Sequence, residues 1–514
     1  MTIHLPGPDG TLRVHVPRAE PARYGTGGPL RTRTVFAAAH VVADPRADTG
    51  RPDAPAAVDW DATLAFRRHL WSYGLGVAEA MDTAQRGMGL DWPAAAELIR
   101  RSAAEARAVG GRIVCGVGTD QLTGSVGPGD LSAVRRAYEE QLALVEETGA
   151  RAVLMASRAL AAAARTRDDY LDVYGELLRQ AAEPVVLHWL GPMFDPALAG
   201  YWGGSDRVAA ADTLLEVVSA HPRKVDGVKI SLLDPDHEIA LRRRLPAGVR
   251  CYTGDDFHYP ELIAGDGHGF SHALLGVFDL LAPLAAHAVR TLDEETSRGE
   301  ATAHAADSAQ TPDSAHAPAA RGPAAAPNPV NGSGPAPAPR PAGATGGAGP
   351  AGAAEAAAPD PKGAESTAEA SRRPGAAGGT RAPGRGARRD EGAPPPGPAP
   401  TPAPAAAVRA EHGADHAGAV AGTGGFRALL DPTVELARHL FQPPTRYYKT
   451  GVVLLAWLAG HQSHFTMVGG LQSARSLPHL ARAYELSDGL GLFPDPALAE
   501  ARMASLLTVY GVDR

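Results

Sequence analysis

The sequence predicts an α/β chain built on a (β/α)8 barrel, with an N-terminal hairpin, a C-terminal helical extension and a long disordered insertion between them. Three observations carry this prediction: short apolar runs recur at nearly regular spacing, alanine-rich helical segments separate them, and one long segment lacks large apolar residues. An open doubly wound sheet is the second choice, because no Gly-x-Gly-x-x-Gly follows the first run. The apolar runs span residues 34–42, 74–81, 112–118, 152–157, 184–189, 227–231, 249–254 and 267–273.

Residues 1–293 are predicted to hold the hairpin and the barrel. Two alternating runs flank Pro8-Asp9-Gly10, which is typical of a β-hairpin turn. Between the later runs, segments such as 92–110 and 131–149 show helical periodicity and end at glycine. Each run followed by such a helix makes one βα unit of the barrel.

The segment 294–425 consists mainly of alanine, proline and glycine, as in PAPAPRPAGATGGAGPAG. Such a segment buries too little apolar surface to offset the entropy of ordering, so we expect a disordered insertion with polyproline character. Residues 426–514 are predicted to form helices packed on the barrel. Four helical patterns carry that prediction, at 431–441, 450–462, 477–491 and 495–511.

Composition limits the classes of partner. A net charge of −8 and a pI near 6.2 do not favour nucleic acid. The N-terminus lacks the features of a signal peptide, and no 18-residue apolar run exists, so we expect neither secretion nor a membrane partner. Cys115 and Cys251 lie in apolar runs and are expected to be buried free thiols, which fits a reducing cytoplasm.

The active site of such a barrel lies at the carboxyl ends of its strands. Thr83 is a candidate hydrogen-bond donor to a substrate carboxylate, or a local cap. Asp255 and Asp256 are candidate substrate ligands, or caps of the helix that follows strand seven. The catalytic candidates are Lys229 and His188, and the candidates for substrate binding are His40, Asp82, Thr83, Gln85, Asp255, Asp256 and Ser271.

Lys229 is the sharpest candidate, because it stands inside the apolar run VDGVKISLL and the chain has only four lysines. Burial disfavours the charged amine and lowers its pKa. A free amine can attack a carbonyl carbon and form a Schiff base, which arginine cannot do. The alternative is a structural lysine paired with a barrel carboxylate. His188 is either a proton relay beside the amine or a core histidine, and Lys449 is expected to pair locally at a helix start.

The order of these features resembles the dihydrodipicolinate synthase and N-acetylneuraminate lyase superfamily of class I aldolases. The strand-six motif of that family, G-[IV]-K-x-[ST], matches Gly227 to Ser231, and its Ser-Gly-Asp-Asp-like motif after strand seven matches Thr253 to Asp256. The resemblance implies a barrel with C-terminal helices, a Schiff-base lysine at Lys229, a small carbonyl substrate, no cofactor and an oligomer of identical chains.

The chain also departs from that family. His188 stands where the family has a catalytic tyrosine, and Met193 stands where it has an arginine that binds substrate. Of the family's Gly-Thr-Thr-Gly-Glu loop, one threonine, Thr83, is kept. We therefore expect a divergent lyase or aldolase that acts on a 2-oxo acid or a related carbonyl compound.

Two other functions compete with this expectation. A metal-dependent barrel hydrolase or sugar isomerase would draw its ligands from His40, His188, Asp255 and His272, although strand one lacks a His-x-His pair. A non-catalytic scaffold would keep the barrel and use the insertion to bind partners. No metal site is expected from the spacing of the histidines.

Overall fold

The computed structural model describes residues 2–18, 20–47, 55–122, 124, 126–310 and 423–512. The predicted hairpin is confirmed: β1 (Ile3–Pro6) pairs antiparallel with β2 (Leu12–His15). Its turn ends at Gly10, whose φ of 79° lies in the left-handed region that suits glycine.

The predicted barrel is also confirmed. Eight parallel strands close on themselves, because the last strand pairs with both the first and the seventh. The strands are β3 (Val35–Ala38), β4 (Gly76–Glu79), β5 (Ile113–Val117), β6 (Arg151–Leu154), β7 (Val185–Leu190), β8 (Val225–Ser231), β9 (Arg250–Thr253) and β10 (His272–Leu275).

One boundary differs from the prediction. The eighth strand was expected at 267–273, but β10 begins only at His272. A turn closed by hydrogen bonds between Asp266 and Gly269 occupies the start of the predicted run. Gly269 has a φ of 146°, which side chains rarely adopt, so the turn interrupts the extended backbone there.

Helices cover the outside of the barrel, and most begin at an aspartate whose side chain accepts a backbone N–H. Helix α2 ends at Gly110 in the left-handed conformation. The helices are α1 (Trp60–Ser72), α2 (Trp92–Val109), α3 (Leu131–Glu147), α4 (Arg158–Ala163), α5 (Arg167–Gln180), α6 (Arg207–Ala220), α7 (Pro235–Arg242), α8 (Tyr259–Ala264) and α9 (Phe278–Gln310).

The C-terminal helices are those that the sequence predicts, preceded by one more. They are α10 (Gly424–Leu430), α11 (Val434–Leu440), α12 (Tyr448–Leu458), α13 (Leu477–Gly489) and α14 (Pro496–Val509). Helix α12 is apolar on nearly every side and lies at the centre of this layer, where it contacts α9, α11, α13 and α14. Helix α9 continues to Gln310 and α10 begins at Gly424, so both reach into the segment 294–425 assigned to the insertion. Residues 311–422 of that segment lie outside the described residues.

Strand alternation decides which side chains enter the barrel. Along β8, Val228 and Ile230 pack among the residues that face the helices, whereas Lys229 lines the interior. The same alternation on β7 turns Leu187 and Trp189 outward and His188 inward. Both catalytic candidates therefore point into the barrel.

Two predictions about the chain as a whole can be compared with the structure. Cys115 and Cys251 are buried free thiols, as expected. Among the described residues, no helix combines the length and the apolar character that crossing a bilayer requires.

Candidate active site

The centre of the site is a contact between two neighbouring strands. His188 on β7 is in register with Lys229 on β8. The Lys229 Nζ lies 2.9 Å from His188 Nε2 and 2.6 Å from Ser231 Oγ. The histidine and the serine are themselves 3.0 Å apart. The amine thus touches two groups that carry no net charge when the histidine is neutral.

Lys229 has no direct counter-ion among the described residues. No carboxylate of the described residues lies within 4.0 Å of its Nζ, although the side chain is almost fully buried. Burial lowers the pKa of the Lys229 amine, and the more distant carboxylates of Asp82, Asp256 and Glu238 oppose this only in part. The structural alternative, a lysine in direct contact with a barrel carboxylate, is not the observed arrangement.

His188 is held between the amine and an acid. Burial and then the neighbouring Lys229 lower the pKa of His188, so the ring is neutral near pH 7. Its Nδ1 lies 3.1 Å from Asp82 Oδ2, although the angles do not make a well-formed hydrogen bond. Burial would raise the pKa of Asp82, but His188, Lys229 and Arg86 lower it on balance. A neutral imidazole therefore has Nε2 available to take a proton from the amine.

The loop after β4 brings Asp82 and Thr83 over the amine. Its backbone is strained: Ala80, Thr83 and Gln85 have φ angles of 50°, 56° and 69°, which residues other than glycine rarely adopt. Gln85 is buried away from the amine, where its Oε1 accepts the N–H of Val41 at 3.3 Å. Of the predicted loop residues, Asp82 and Thr83 line the site and Gln85 supports the loop.

Arg86 holds this strained loop in place. Its guanidinium donates to the backbone oxygens of Ala80 and Gly116 and forms a two-point ion pair with Asp120. Such a buried, fully bonded arginine fixes the path of the chain on both sides of Asp82.

The Thr253–Asp256 motif contributes two kinds of residue. Asp255 accepts the N–H groups of Phe257 and His258 at 2.8 and 3.1 Å and so closes the turn before α8. The expected cap is not formed, because α8 has His258 at its N-cap and no side-chain cap hydrogen bond. Asp256 lines the space around Lys229, accepts the N–H of Val277 at 2.9 Å, and has its pKa raised to about 7 by burial. Asp256 is therefore the member of the pair that faces the amine.

Position 254 has to be glycine because the Lys229 amine and Ser231 occupy the space that a side chain would need. A Cβ at this position would lie 2.2 Å from Ser231 Oγ and 2.9 Å from Lys229 Nζ, closer than van der Waals contact allows. The φ of Gly254 is outside the left-handed region, so the constraint is space and not backbone conformation.

We expect Gly254→Ala to lower the rate of any reaction at the Lys229 amine by at least about a hundredfold, since the new methyl group displaces the nucleophile. Gly267→Ala is the matched control, because nothing lies within 4 Å of its Cβ position. The measurement is the rate constant of the reaction at the Lys229 amine for both variants. Each rate constant is corrected for the folded fraction, which near-ultraviolet circular dichroism determines. Equal rates for the two variants would contradict this account of Gly254.

Tyr448 is a site residue that the sequence analysis missed. It opens helix α12, far along the chain from the barrel motifs, and lines the same space as Lys229. Burial raises the pKa of its phenol well above 10.0, so the group keeps its proton. A Cβ at Gly276 would lie 2.7 Å from the Tyr448 hydroxyl, so this glycine makes room for it. Position 188 lacks the tyrosine that the resemblance would place there, and this was the sequence signal that a tyrosine from another element could line the site.

The space around the amine is a small chamber joined to a larger cavity. The chamber, lined by Lys229, Asp256 and Tyr448, has a volume of about 20 Å³, enough for one water molecule. The adjoining cavity measures about 400 Å³ and shares wall residues with the chamber. The shared residues are Asp82, Thr83, Leu190 and Phe194.

The structure does not bring His40 to the chamber. The two ring nitrogens of this residue lie 3.1 Å from Asp279 Oδ1 and 3.0 Å from Gln462 Oε1. Lys449 meets the same aspartate: its Nζ lies 2.5 Å from Asp279 Oδ2 and also donates to the carbonyl of Ala38. The expected local pairing of Lys449 is therefore wrong, because the lysine ties α12 to the barrel through a buried ion pair.

Ser271 and His272 also lie away from the chamber. Because β10 starts at His272, both residues are at its amino end and not at the carboxyl end where the site is. Ser271 donates to Glu238 Oε1 at 2.7 Å, and His272 Nδ1 accepts the N–H of Thr34 at 2.9 Å. The ligand set considered for a metal is thus dispersed, and the described part of the chain holds no group of three or more potential ligands.

The lowered pKa of Lys229 can be measured directly, because the lysines Lys224, Lys229, Lys362 and Lys449 give at most four side-chain resonances. We expect the Lys229 amine, identified by the resonance that disappears in Lys229→Met, to titrate below pH 10.5, since burial disfavours the ammonium form. The measurement is a pH titration of protein labelled with ¹³C at the lysine ε-carbon, assigned with single lysine variants. A Lys229 resonance that titrates at or above pH 10.5 would contradict the expected direction.

Comparison with known proteins places the chain in one family. A family model described as "Protein of unknown function (DUF993)" matches residues 3–312 and 401–512. No curated protein matches the chain. Among solved structures, the chain is similar to dihydrodipicolinate synthase from Aquifex aeolicus, with 13% identity, 52% of this chain and 77% of that chain covered, and a TM-score of 0.40.

Two further solved structures are similar at the same level. One is 2-keto 3-deoxygluconate aldolase from Picrophilus torridus, with 14% identity, coverage of 49% and 78%, and a TM-score of 0.37. The other is CdNal from Clostridium difficile in complex with mannosamine, with 12% identity, coverage of 53% and 78%, and a TM-score of 0.38.

Proposed function

The chain belongs to this family of unknown function, and from the geometry of its own site we propose that it is a Schiff-base lyase or aldolase. The proposed substrate is a 2-oxo acid or a related carbonyl compound, and the proposed reaction makes or breaks a carbon–carbon bond next to that carbonyl. Lys229 is the nucleophile.

The observation that carries the proposal is the contrast between two buried lysines. Lys449 lies 2.5 Å from Asp279, as expected of a structural cation. Lys229 is equally enclosed, yet no described carboxylate contacts its Nζ, which lies against His188 and Ser231. An uncompensated ammonium in such a place is unfavourable, whereas a neutral amine is well accommodated. The neutral amine is the form that attacks carbonyl carbon.

The proposed reaction follows from that amine. The lone pair of Nζ adds to the carbonyl carbon, and the carbonyl oxygen becomes a hydroxyl. Loss of that hydroxyl as water leaves an iminium joining Nζ to the substrate carbon. The iminium draws the electron pair of a bond at the neighbouring carbon toward nitrogen, giving an enamine. When a C–H bond breaks, its proton passes to a base in the chamber. When a C–C bond breaks, the other fragment leaves as an aldehyde or ketone after its hydroxyl gives up a proton to that base. Protonation of the enamine carbon and addition of water then release product and restore the amine.

These steps move protons, and the site has groups placed to carry them. His188 is neutral and can take the proton that Nζ loses on addition. Tyr448 keeps its phenolic proton and faces the same chamber, so it can donate to the departing oxygen. In this proposal Tyr448, supplied by α12, takes the role that a strand-five tyrosine has in the family that the sequence resembles.

The remaining chamber residues orient the substrate. Thr83 is held over the chamber by the strained loop and can donate its hydroxyl to a substrate oxygen. Asp256 has its pKa raised to about 7, so its carboxyl group gains and loses a proton near pH 7, where the Lys229 amine has to be neutral.

The test is exchange of substrate hydrogen with solvent, which does not require the second substrate. We expect the full-length protein to replace the C3 hydrogens of a 2-oxo acid with deuterium in D₂O, because each iminium forms an enamine reversibly. Proton NMR of a panel of 2-oxo acids measures the rate, with the Lys229→Met variant as the control. No exchange above the control for any member of the panel would overturn the proposed function.

A further inference from the structure

The cavity next to the Lys229 chamber is too large for a small 2-oxo acid alone. Its volume of about 400 Å³ lies in the range of sites that enclose whole metabolites. It meets the chamber at Asp82, Thr83, Leu190 and Phe194, which line both spaces. A substrate whose carbonyl carbon meets Lys229 therefore has its remaining atoms in this cavity.

Most of the cavity wall is apolar. Several of its polar side chains bond to one another, as Thr119 does to Ser157 at 2.6 Å. Hydroxyl groups placed along such walls lose hydrogen bonds to water without replacement, whereas methylene groups gain from burial. The walls favour a substrate with a hydrocarbon chain over a polyhydroxylated chain. The apolar lining residues are Met88, Leu122, Val126, Met155, Ala156, Ala159, Ala162, Leu190, Phe194 and Leu198.

Three arginines line the cavity, and two of them are neutralised. Arg86 pairs with Asp120 at 2.7 Å, and Arg158 pairs with Asp195. Arg446 is different: none of the described carboxylates lies within 4.0 Å of it. Its Nη2 donates to the Tyr447 hydroxyl at 3.2 Å, and its guanidinium lies 4.9 Å from the centre of that ring. Arg446 is exposed to solvent at the cavity wall, and its contacts with Tyr447 do not neutralise its charge.

We propose that the substrate is a carbonyl compound with a largely apolar chain that ends in a second anionic group, a carboxylate, bound by Arg446. This inference rests on the proposed function for the position of the carbonyl. A planar guanidinium without an acid partner is suited to such a carboxylate, which it can bind through two parallel hydrogen bonds.

The test uses equilibrium binding to the full-length protein, measured by isothermal titration calorimetry. The probes are acetate, hexanoate, adipate and galactarate, the last being a hydroxylated dicarboxylate as long as adipate. We expect adipate to bind about tenfold more tightly than hexanoate, and both more tightly than acetate and galactarate. Arg446→Gln is expected to reduce the affinity for adipate to that for hexanoate and leave hexanoate unchanged.

Two further variants locate the binding. Ala159→Trp fills the apolar part of the cavity and is expected to abolish binding of both hexanoate and adipate. Arg438→Gln, an exposed arginine outside the cavity, is the control and should change neither. Equal affinities for acetate and adipate, tighter binding of galactarate, or an unchanged preference for adipate in Arg446→Gln would overturn the inference. Because these probes have no reactive carbonyl, their binding is independent of whether the proposed reaction occurs.

Discussion

Replacing Lys229 by methionine is expected to abolish hydrogen exchange into a 2-oxo acid, a loss of at least about a thousandfold, because no other group can form the iminium. The protein should keep its stability. Methionine fills a similar volume, and the change removes a buried amine that has no counter-ion in the described part of the chain. Exchange measured by NMR and the melting temperature measured by calorimetry check the two halves of this prediction.

The exchange rate and the melting temperature together distinguish a catalytic lysine from a structural one. If Lys229 were structural, the variant would lose stability and any loss of rate would follow the unfolded fraction. A Lys229→Met protein that unfolds many degrees below the parent, or that keeps the parent rate of exchange, would contradict the assignment.

Replacing Lys449 by methionine is expected to have the opposite outcome. The change leaves the buried carboxylate of Asp279 without its lysine, and removing one partner of a buried ion pair typically costs about 3–5 kcal/mol. The pKa of Asp279 lies below its ordinary value because Lys449 and His40 outweigh the effect of burial. The measurement is the free energy of unfolding from urea denaturation near pH 7, where this carboxylate is charged.

Lys224→Met is the matched control for that experiment. The Nζ of Lys224 donates to a single backbone carbonyl, that of Ala181 at 2.6 Å, and the side chain is only partly buried. Its loss is expected to change the free energy of unfolding by about 1 kcal/mol or less. Equal destabilisation by Lys224→Met and Lys449→Met would show that the ion pair with Asp279 does not contribute to the free energy of unfolding beyond an ordinary hydrogen bond.

The barrel and the direction of Lys229 could be predicted because both depend on local patterns. Apolar runs with intervening helical segments specify βα units, and the alternation along VDGVKISLL turns Lys229 away from Val228 and Ile230. Gly254 belongs to the Thr253–Asp256 motif, but the sequence does not explain why this position is glycine. The explanation is that a Cβ there would lie 2.9 Å from the Lys229 amine, a distance that depends on the fold.

The roles of Tyr448 and Lys449 could not be predicted in the same way. Lys449 bonds to Ala38 across 411 positions of sequence, and no periodicity reports a contact of that range. Ser271 was expected at the site because the last strand was placed too early; the turn at Asp266 and Gly269 shifts the strand along the chain. In each case a tertiary contact or a turn decides the position, and neither is encoded in local hydrophobicity.

The most direct test of the central claim is the site of covalent trapping. Full-length protein incubated with a 2-oxo acid and sodium borohydride is digested, and peptide mass spectrometry locates the reduced adduct. The account predicts one adduct, on Lys229, with none on Lys449, whose amine is held by Asp279. An adduct on another lysine, or no adduct under conditions that support hydrogen exchange, would contradict the assignment of Lys229 as the nucleophile.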